Sequence, residues 1–261
     1  MYPNEIILGM GMYEILIALG FACALGYFRI FADRRGFGAN LQNLVIGCAL
    51  AALIGGYGTA VLTQAVYNAL DGGVFEIVTT TGATFYGGLI GGAGLFIGIY
   101  FLVGRFVLKP REAVENFPYL SEIAAGSIAV AHGFGRLGCL FAGCCHGAET
   151  DAWYGIYHTY IGAKVVPVQL FEAVFLFALC GLLTWRLIRG KRNNLAVYLM
   201  SYAVWRFFAE YLRADDRGST VVSFLSPSQL TAVALFVLGA GLMAGAVAAG
   251  RKKKVDENAE A

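Results

Sequence analysis

The chain has 261 residues, of which 58% are hydrophobic and only 14% are charged, with a formal net charge of +2. Soluble domains carry about a quarter charged residues, so this composition excludes an ordinary soluble domain and predicts an integral membrane protein. We expect a lipid bilayer around the chain and no nucleic acid as a partner. The six cysteines lie within or beside apolar segments, which is not the pattern of a secreted, disulfide-stabilised domain.

Seven stretches of the chain are apolar and long enough, at roughly 20 residues each, to cross a bilayer as helices. They cover residues 12–31, 41–67, 85–108, 119–143, 168–188, 194–212 and 227–249. The predicted fold is an all-α polytopic membrane protein with one transmembrane helical domain over residues 1–250. A charged cytoplasmic tail over residues 251–261 is expected to be disordered. The fourth stretch carries His132 and Arg136, so we expect this helix to end or break inside a protein-lined cavity.

The basic residues determine the expected orientation, because cytoplasmic loops carry an excess of lysine and arginine. Fourteen of the 19 basic residues follow the first, third, fifth and seventh stretches. The alternate loops hold only Lys164, Arg213 and Arg217, while Arg136 and Arg206 lie within stretches. We therefore expect the N-terminus outside and the C-terminus in the cytoplasm, in a cell membrane that the chain crosses several times.

Polar residues from five of these stretches fall in the outer half of the bilayer when depth is counted at about 1.5 Å per residue. They are Tyr13, Tyr86, Arg136, Gln169, Glu172, Arg206, Glu210 and Arg213. On the sixth stretch, Arg206, Glu210 and Arg213 are spaced i, i+4, i+7 and are expected to share one helical face. A structural ion pair, with Glu210 between the two arginines, is one interpretation of that spacing.

Arg136 and Arg206 favour a functional interpretation, because charged residues inside a membrane are rare and usually face a cavity or a partner. Two arginines on different helices suit a phosphate, which the planar guanidinium grips in bidentate fashion. A phospholipid head group is the nearest source of such a phosphate.

The fourth stretch also contains Gly133-Phe-Gly-Arg-Leu-Gly138, which matches GxGxxG. No βαβ pattern surrounds it, so a dinucleotide site is not expected. One turn before Arg136, His132 is expected to be a hydrogen-bonded packing residue. His146, which follows the cysteines near the outer surface, is the better candidate for a base.

Three cysteines and a histidine follow that run, and they could ligate zinc: Cys139, Cys144, Cys145 and His146. Adjacent Cys-Cys-His is unlike the usual spacing of zinc ligands, so we expect no metal and no cofactor. Inert buried thiols, a local disulfide and a reactive thiol are all compatible with the pattern.

Four runs of the chain resemble motifs of the prolipoprotein diacylglyceryl transferase family, in that family's order. They are Phe85-Tyr-Gly-Gly-Leu-Ile-Gly91, similar to FHGGLIG; Gly135-Arg-Leu-Gly-Cys-Leu-Phe-Ala-Gly-Cys144, similar to GRLGNFxNGE; Pro167-Val-Gln-Leu-Phe-Glu172, similar to PSQLYE; and Arg206-Phe-Phe-Ala-Glu210, similar to RxxxE. Tyr13 falls where the family has a functional tyrosine on its first helix. The resemblance covers nearly the whole chain and implies seven helices with the N-terminus outside.

The resemblance implies that the diacylglyceryl group of phosphatidylglycerol moves to the thiol of a prolipoprotein cysteine, with release of glycerol phosphate. Arg136 and Arg206 would hold the phosphate, and Glu210 would orient them. Gly87 and Gly88 would let the lipid approach the backbone. Further substrate contacts are implied at the remaining matched positions, which are Tyr13, Gly135, Gly138, Cys139, Gln169, Glu172 and Arg213.

Three positions depart from the family's motifs. Tyr86 stands where the family's proposed base is a histidine, Cys139 where it has an asparagine, and Cys144 where it has a glutamate. Tyrosine, with a pKa of about 10, is a poor base at neutral pH. A thiolate at Cys144 could replace the carboxylate if Arg136 lowered its pKa and His146 took the proton. A non-catalytic lipid-binding relative, and a transferase using another lipid-phosphate donor or another acceptor, are the alternatives.

Overall fold

The computed structural model describes residues 5–7, 9–70, 72–77, 84–213 and 224–259. The regular secondary structure within them is helical apart from two short β-hairpins. The helices are α1 (Met12–Arg35), α2 (Ala39–Leu70), α3 (Phe85–Val107), α4 (Glu112–Ala142), α5 (Val168–Ile188), α6 (Asn194–Ala209) and α7 (Pro227–Ala259). One hairpin pairs β1 (Glu5–Ile7) with β2 (Met10–Gly11), and the other pairs β3 (Ile156–His158) with β4 (Ala163–Val165).

Each stretch predicted to be a membrane helix overlaps one of these helices. Six of them are long and apolar enough, by length and composition, to cross a membrane, so the chain is a polytopic membrane protein. The exception is α6, which has 16 residues and continues as a three-residue 3₁₀ turn, Glu210–Leu212.

Two predictions concerned helix ends. The fourth helix was expected to end or break, and it ends at Ala142 without a break at its glycines; one of these, Gly133, packs against Phe177, where a Cβ would lie 2.7 Å from Cε1. The second prediction, a disordered tail, was wrong. The seventh helix continues through the charged tail to Ala259. Lysine, arginine, glutamate and alanine in that tail all have high helix propensity.

The chain forms two compact units, one of Met1–Phe28 with Ser121–Ala261 and one of Arg29–Leu120. In the second unit, α2 and α3 pack closely through glycines. A Cβ on Gly56 would lie 3.1 Å from the carbonyl oxygen of Gly88, and a Cβ on Gly92 would lie 3.1 Å from the carbonyl oxygen of Ala52. Small residues are what allow two apolar helices to approach this closely.

In the first unit, a buried carboxylate fixes one end of the helix packing. Glu122 on α4 accepts hydrogen bonds from the backbone N–H groups of Asn193, at 2.7 Å, and Asn194, at 2.6 Å. Both N–H groups belong to the start of α6, where the helix dipole favours a negative charge. Arg136 is 14 residues further along α4, about 21 Å away at the helical rise. The polar cluster around Arg136 therefore lies at the opposite end of this unit.

The connection between α4 and α5 is tied down by backbone hydrogen bonds that the sequence did not predict. Gly147 N–H donates to the carbonyl oxygen of Val166 at 2.9 Å, and Ala148 N–H donates to that of Leu212 at 3.1 Å. An antiparallel bridge joins Gly147 to Arg213. The segment that follows the cysteines is therefore held beside the 3₁₀ turn after α6.

Candidate active site

Arg136 on α4, which is partly buried, and Glu172 on α5, which is buried, form an ion pair. Nε of Arg136 lies 3.0 Å from Oε1 of Glu172, whose side chain is 1% exposed. The hydroxyl of Tyr202 on α6 donates to the same Oε1 at 2.9 Å. Glu172 is therefore the carboxylate that compensates Arg136, and the tyrosine fixes its position.

Arg206 has a carboxylate of its own. Its Nη2 lies 2.8 Å from Oε2 of Glu210, one turn further along the chain, and the two side chains are 8% and 12% exposed. The same Nη2 donates to Oγ of Ser228 at 2.6 Å, and Oγ of Ser226 donates to Oε1 of Glu210 at 2.7 Å. The other terminal nitrogen of Arg206, Nη1, is buried without a hydrogen-bond partner among the described residues.

The start of α7 positions the two serines by a reciprocal cap. Ser226 Oγ accepts the N–H of Gln229 at 3.2 Å, and Oε1 of Gln229 accepts the N–H of Ser226 at 3.1 Å. This is a capping box with Pro227 at the first helical position, where proline is favoured. The local sequence at 226–229 thus fixes both serines against Arg206 and Glu210.

Arg213 does not extend the face that carries Arg206 and Glu210. The α-helix ends at Ala209, so the i, i+7 relation predicted from the sequence fails. The N–H of Arg213 closes the 3₁₀ turn on the carbonyl oxygen of Glu210 at 3.1 Å, and its guanidinium reaches the thiol of Cys145.

The two predicted site cysteines, Cys139 and Cys144, converge with Cys145. The sulfur atoms of Cys139, Cys144 and Cys145 all lie within 4.8 Å of one another. The backbone N–H of Cys144 bonds to the carbonyl oxygen of Cys139 at 3.2 Å. Gly143 and Cys145 have positive φ angles of 76° and 63°, which turn the chain sharply after the end of α4. This turn brings residues five and six apart in sequence to one point.

Two buried side chains hold this turn in place. Nε2 of Gln169 donates to the carbonyl oxygen of Cys144 at 2.6 Å, and Nε2 of His158 lies 2.7 Å from the carbonyl oxygen of Gly143. Because Nδ1 of His158 accepts the N–H of Ile161 at 3.3 Å, the proton is on Nε2. His158 is therefore a structural residue with both ring nitrogens engaged.

Two thiols, those of Cys144 and Cys145, lie outside the membrane helices, and their surroundings shift their pKa values in opposite directions. Hydrogen bonds from Cys139 and from Cys144, together with the guanidinium of Arg213, lower the pKa of Cys145. The pKa of Cys144 is raised, because its bond to Cys139, which lowers it, is outweighed by its bond to Cys145 and by burial. The role of Cys144 as a thiolate stays a prediction, and these surroundings favour the charged form at Cys145 more than at Cys144.

The remaining predicted residues divide between the two units. Tyr13 lies against Gly138, where a Cβ would be 3.1 Å from Cδ2 of the ring. Gly135 faces Ile17 of α1, and Nδ1 of His146 lies 2.9 Å from the carbonyl oxygen of Gly147. In the second unit, Gly87 and Gly88 pack against α2, beside Thr63 and Ala60. Tyr86 lies in the first turn of α3, and its side chain lies outside the described residues, as does Arg217.

Sequence reasoning missed several residues of this cluster. Tyr198, Tyr202 and Arg206 are spaced four apart on α6, a helical spacing that could have revealed a polar face. The rings of Tyr198 and Tyr202 are stacked, with centroids 6.1 Å apart, and the hydroxyl of Tyr198 lies 3.2 Å from Nδ1 of His132. His132 is thus hydrogen-bonded, as expected. Nothing in the spacing of Ser226 and Ser228 pointed to the arginine.

The fold and the site together define a polytopic membrane protein with two buried arginine–carboxylate pairs at one end of a helical unit. The family model described as prolipoprotein diacylglyceryl transferase matches residues 5–245. The chain belongs to that family.

Named relatives are similar in sequence to this chain over most of their length. A protein of Clostridium perfringens named phosphatidylglycerol–prolipoprotein diacylglyceryl transferase 2 is 33% identical over 239 residues, which are 88% of this chain and 88% of the relative. The corresponding transferase of Clostridium tetani is 28% identical, over 87% of this chain and 89% of its own. That of Bordetella avium is 28% identical, over 86% and 88%.

The ion pair of Arg136 and Glu172 predicts an order of stabilities. Glu172→Gln leaves a buried guanidinium without its carboxylate, which costs about 3–5 kcal/mol of unfolding free energy. Replacing both residues with methionine removes that uncompensated charge and is expected to cost less than the single change. The measurement is the thermal unfolding midpoint in detergent.

Arg29→Gln is the matched control for this comparison, because Arg29 and Asp33 form a pair with exposed side chains at 3.8 Å. Exposed pairs contribute about 0–1 kcal/mol. A Glu172→Gln protein as stable as the Arg29→Gln protein would show that the buried pair is not holding the helices together.

Proposed function

We propose that the protein transfers the diacylglyceryl group of phosphatidylglycerol to the thiol of a cysteine in a prolipoprotein. A thioether forms and glycerol phosphate leaves. Family membership and the names of the relatives support this reaction. The two partners are thus a phospholipid of the surrounding bilayer and a protein that carries the acceptor cysteine.

The observation that carries the proposal is Nη1 of Arg206, which is buried without a hydrogen-bond partner among the described residues. Buried donors in folded proteins are normally paired, so this nitrogen can bind an acceptor that the described residues do not supply. Tyr202 interacts electrostatically with both Arg206 and Arg136, so the two cations act on one region. A phosphate oxygen is an acceptor that a guanidinium binds strongly, since both partners are charged.

The arginines would contribute most when the bond between the lipid carbon and the phosphate oxygen breaks. Negative charge then accumulates on the leaving phosphate, and fixed cations in a site of low dielectric stabilise it. Glu172 and Glu210 keep the guanidiniums in place before the lipid arrives, so little reorganisation is needed.

We also propose that all seven helices cross a cell membrane, with the N-terminus outside and the C-terminus in the cytoplasm. The distribution of lysine and arginine between alternate loops supports this orientation. The site at the ends of α4 and α6 and the starts of α5 and α7 would then face the outer leaflet, where a secreted prolipoprotein arrives.

The departures from the family's motifs favour one alternative, a lipid-binding protein without transferase activity. Tyr86, Cys139 and Cys144 replace residues that the family's motifs carry. Such a protein would keep both arginines and bind phosphatidylglycerol, but it would form no thioether.

Mass spectrometry of the reaction products tests the transfer. Purified protein, phosphatidylglycerol and a peptide with a prolipoprotein cysteine are expected to give a diacylglyceryl-modified peptide and glycerol phosphate. Arg136→Ala and Arg206→Ala are each expected to lower the rate by about 100-fold or more, the effect of losing one charge-stabilising group. Arg105→Ala, an exposed residue on α3, is the control and should retain the wild-type rate.

Wild-type protein that binds the lipid but gives no modified peptide would support the lipid-binding alternative instead. An arginine variant with the wild-type rate would show that this arginine has only a structural role.

Native lysines test the orientation without any substitution. Lys164 lies in β4, while Lys109 and Lys191 lie in loops at the other ends of their helices, and all three are exposed. An amine-reactive reagent that cannot cross membranes should label Lys164 in intact cells and leave Lys109 and Lys191 unlabelled. Inverted membrane vesicles should give the opposite pattern. Labelling of Lys191 in intact cells would show that the orientation is reversed.

A further inference from the structure

The proposed transfer requires a thiolate on the acceptor cysteine, because the neutral thiol is a weak nucleophile. The position where the family's motif has a histidine is Tyr86 here. His158 has both ring nitrogens engaged, and His132 is held by Tyr198. His146, whose Nδ1 lies 2.9 Å from the carbonyl oxygen of Gly147, stays the histidine candidate for a base. The cysteines that replace two family residues offer a second means of activating the acceptor thiol.

We propose that Cys139, Cys144 and Cys145 bind one Zn²⁺ ion whose fourth coordination position takes the acceptor thiol and holds it as a thiolate. This inference rests on the proposed function, since it supplies the activation step of that reaction. A thiol that coordinates zinc is deprotonated. Three protein ligands with one exchangeable position are the arrangement of catalytic zinc sites, whereas structural sites use four protein ligands.

The sulfur positions fit this ion. Zinc–sulfur bonds of about 2.3 Å in tetrahedral geometry place the sulfur atoms about 3.8 Å apart. All three sulfurs already lie within 4.8 Å of one another, so small side-chain rotations complete the site. Three soft sulfur ligands favour zinc over the hard cations magnesium and calcium. The spacing of the cysteines in the sequence is unusual for zinc ligands. The turn at Gly143 and Cys145 nevertheless brings the three sulfur atoms together.

The turn that carries the ligands is fixed before any ion binds. Gln169 is 1% exposed and His158 is 3% exposed, and they hold the carbonyl oxygens of Cys144 and Gly143. Rigid support around the ligands is what keeps a metal site at its working geometry. Cys144 itself is exposed, which leaves a path for a peptide thiol.

The surrounding charge also suits the ion. Zn²⁺ with three thiolates carries a net charge of −1, and the guanidinium of Arg213 contacts the sulfur of Cys145. Cys139 is three residues after Arg136 on α4, so the two side chains are neighbours on the helix surface. A thiolate on the zinc would therefore lie near the arginine that we propose to hold the lipid phosphate.

The step balances in atoms and charge. A zinc-bound hydroxide takes the proton of the peptide thiol and leaves as water, and the thiolate occupies its position. The sulfur then attacks the lipid carbon next to the phosphate oxygen, so a C–S bond forms as the C–O bond breaks. The electron pair leaves with glycerol phosphate, and water displaces the weakly bound thioether from zinc. Loss of one proton from that water to the solvent restores the hydroxide.

The metal content of the purified protein is the first test. Wild-type protein incubated with Zn²⁺ alone and then desalted is expected to retain about one ion per chain. Cys144→Ser and Cys145→Ser should each lower this at least about tenfold, while Cys23→Ser, on α1, should not. The unfolding midpoint of each variant shows whether it is folded. If a variant is not folded, the test uses the wild-type protein instead: a thiolate-to-metal absorption band after loading with Co²⁺ shows that the cysteines bind the metal.

Wild-type protein that retains no zinc and shows no such band would overturn the proposal. A mass two hydrogens lower than that of the reduced chain, with the missing hydrogens mapped to this cluster, would identify a disulfide and overturn it equally.

Thiol binding is tested without the lipid, so its outcome is independent of the transfer reaction. Adding the acceptor peptide to Co²⁺-loaded protein should shift the visible cobalt bands, and the same peptide with serine in place of cysteine should not. An unchanged spectrum would refute thiol activation by the metal. A shifted spectrum with no thioether in the complete reaction would support the zinc–thiol step and count against the proposed transfer.

Discussion

Each of two buried arginines in this protein is compensated by a separate carboxylate, and the packing of one helical unit depends on these pairs. A charge placed among apolar helices is costly unless a partner lies beside it. Arg136 on α4 meets Glu172 on α5, and Arg206 in the last turn of α6 meets Glu210, which begins the 3₁₀ turn after that helix. Tyr202 and the capped start of α7 complete the arrangement.

Much of the fold could be predicted from the sequence, because the bilayer imposes a length and a polarity on every crossing helix. Seven apolar stretches gave the positions of seven helices within the described residues. The ends were less predictable. The glycines near Arg136 suggested a break, but Phe177 and Tyr13 cover two of them, and an enclosed helix keeps its backbone hydrogen bonds. The β3–β4 hairpin, with three residues in each strand, is too short to leave a periodic pattern.

The candidate site was predictable in its charged residues and less so in their partners. Spacing on one helix suggested that Glu210 lies between Arg206 and Arg213, but α6 ends at Ala209 and the turn carries Arg213 to Cys145. Pairings between helices, such as Arg136 with Glu172, depend on rotation about helix axes, which no linear spacing reveals. The same holds for the cysteines, because the left-handed turn that unites them is a property of the folded backbone. We propose that these cysteines, as a zinc site, take over the activation that a histidine would otherwise provide.

The direct test of the account is whether Arg206 selects the phosphate of the lipid. Native mass spectrometry can compare the retention of phosphatidylglycerol with that of diacylglycerol, which has the same acyl chains and no phosphate. Wild-type protein should retain phosphatidylglycerol at least about tenfold better, since a charged hydrogen bond contributes about 1.5–3 kcal/mol. Arg206→Ala should lose that preference while retaining diacylglycerol as before. An Arg206→Ala protein with an unchanged preference for phosphatidylglycerol would contradict the account.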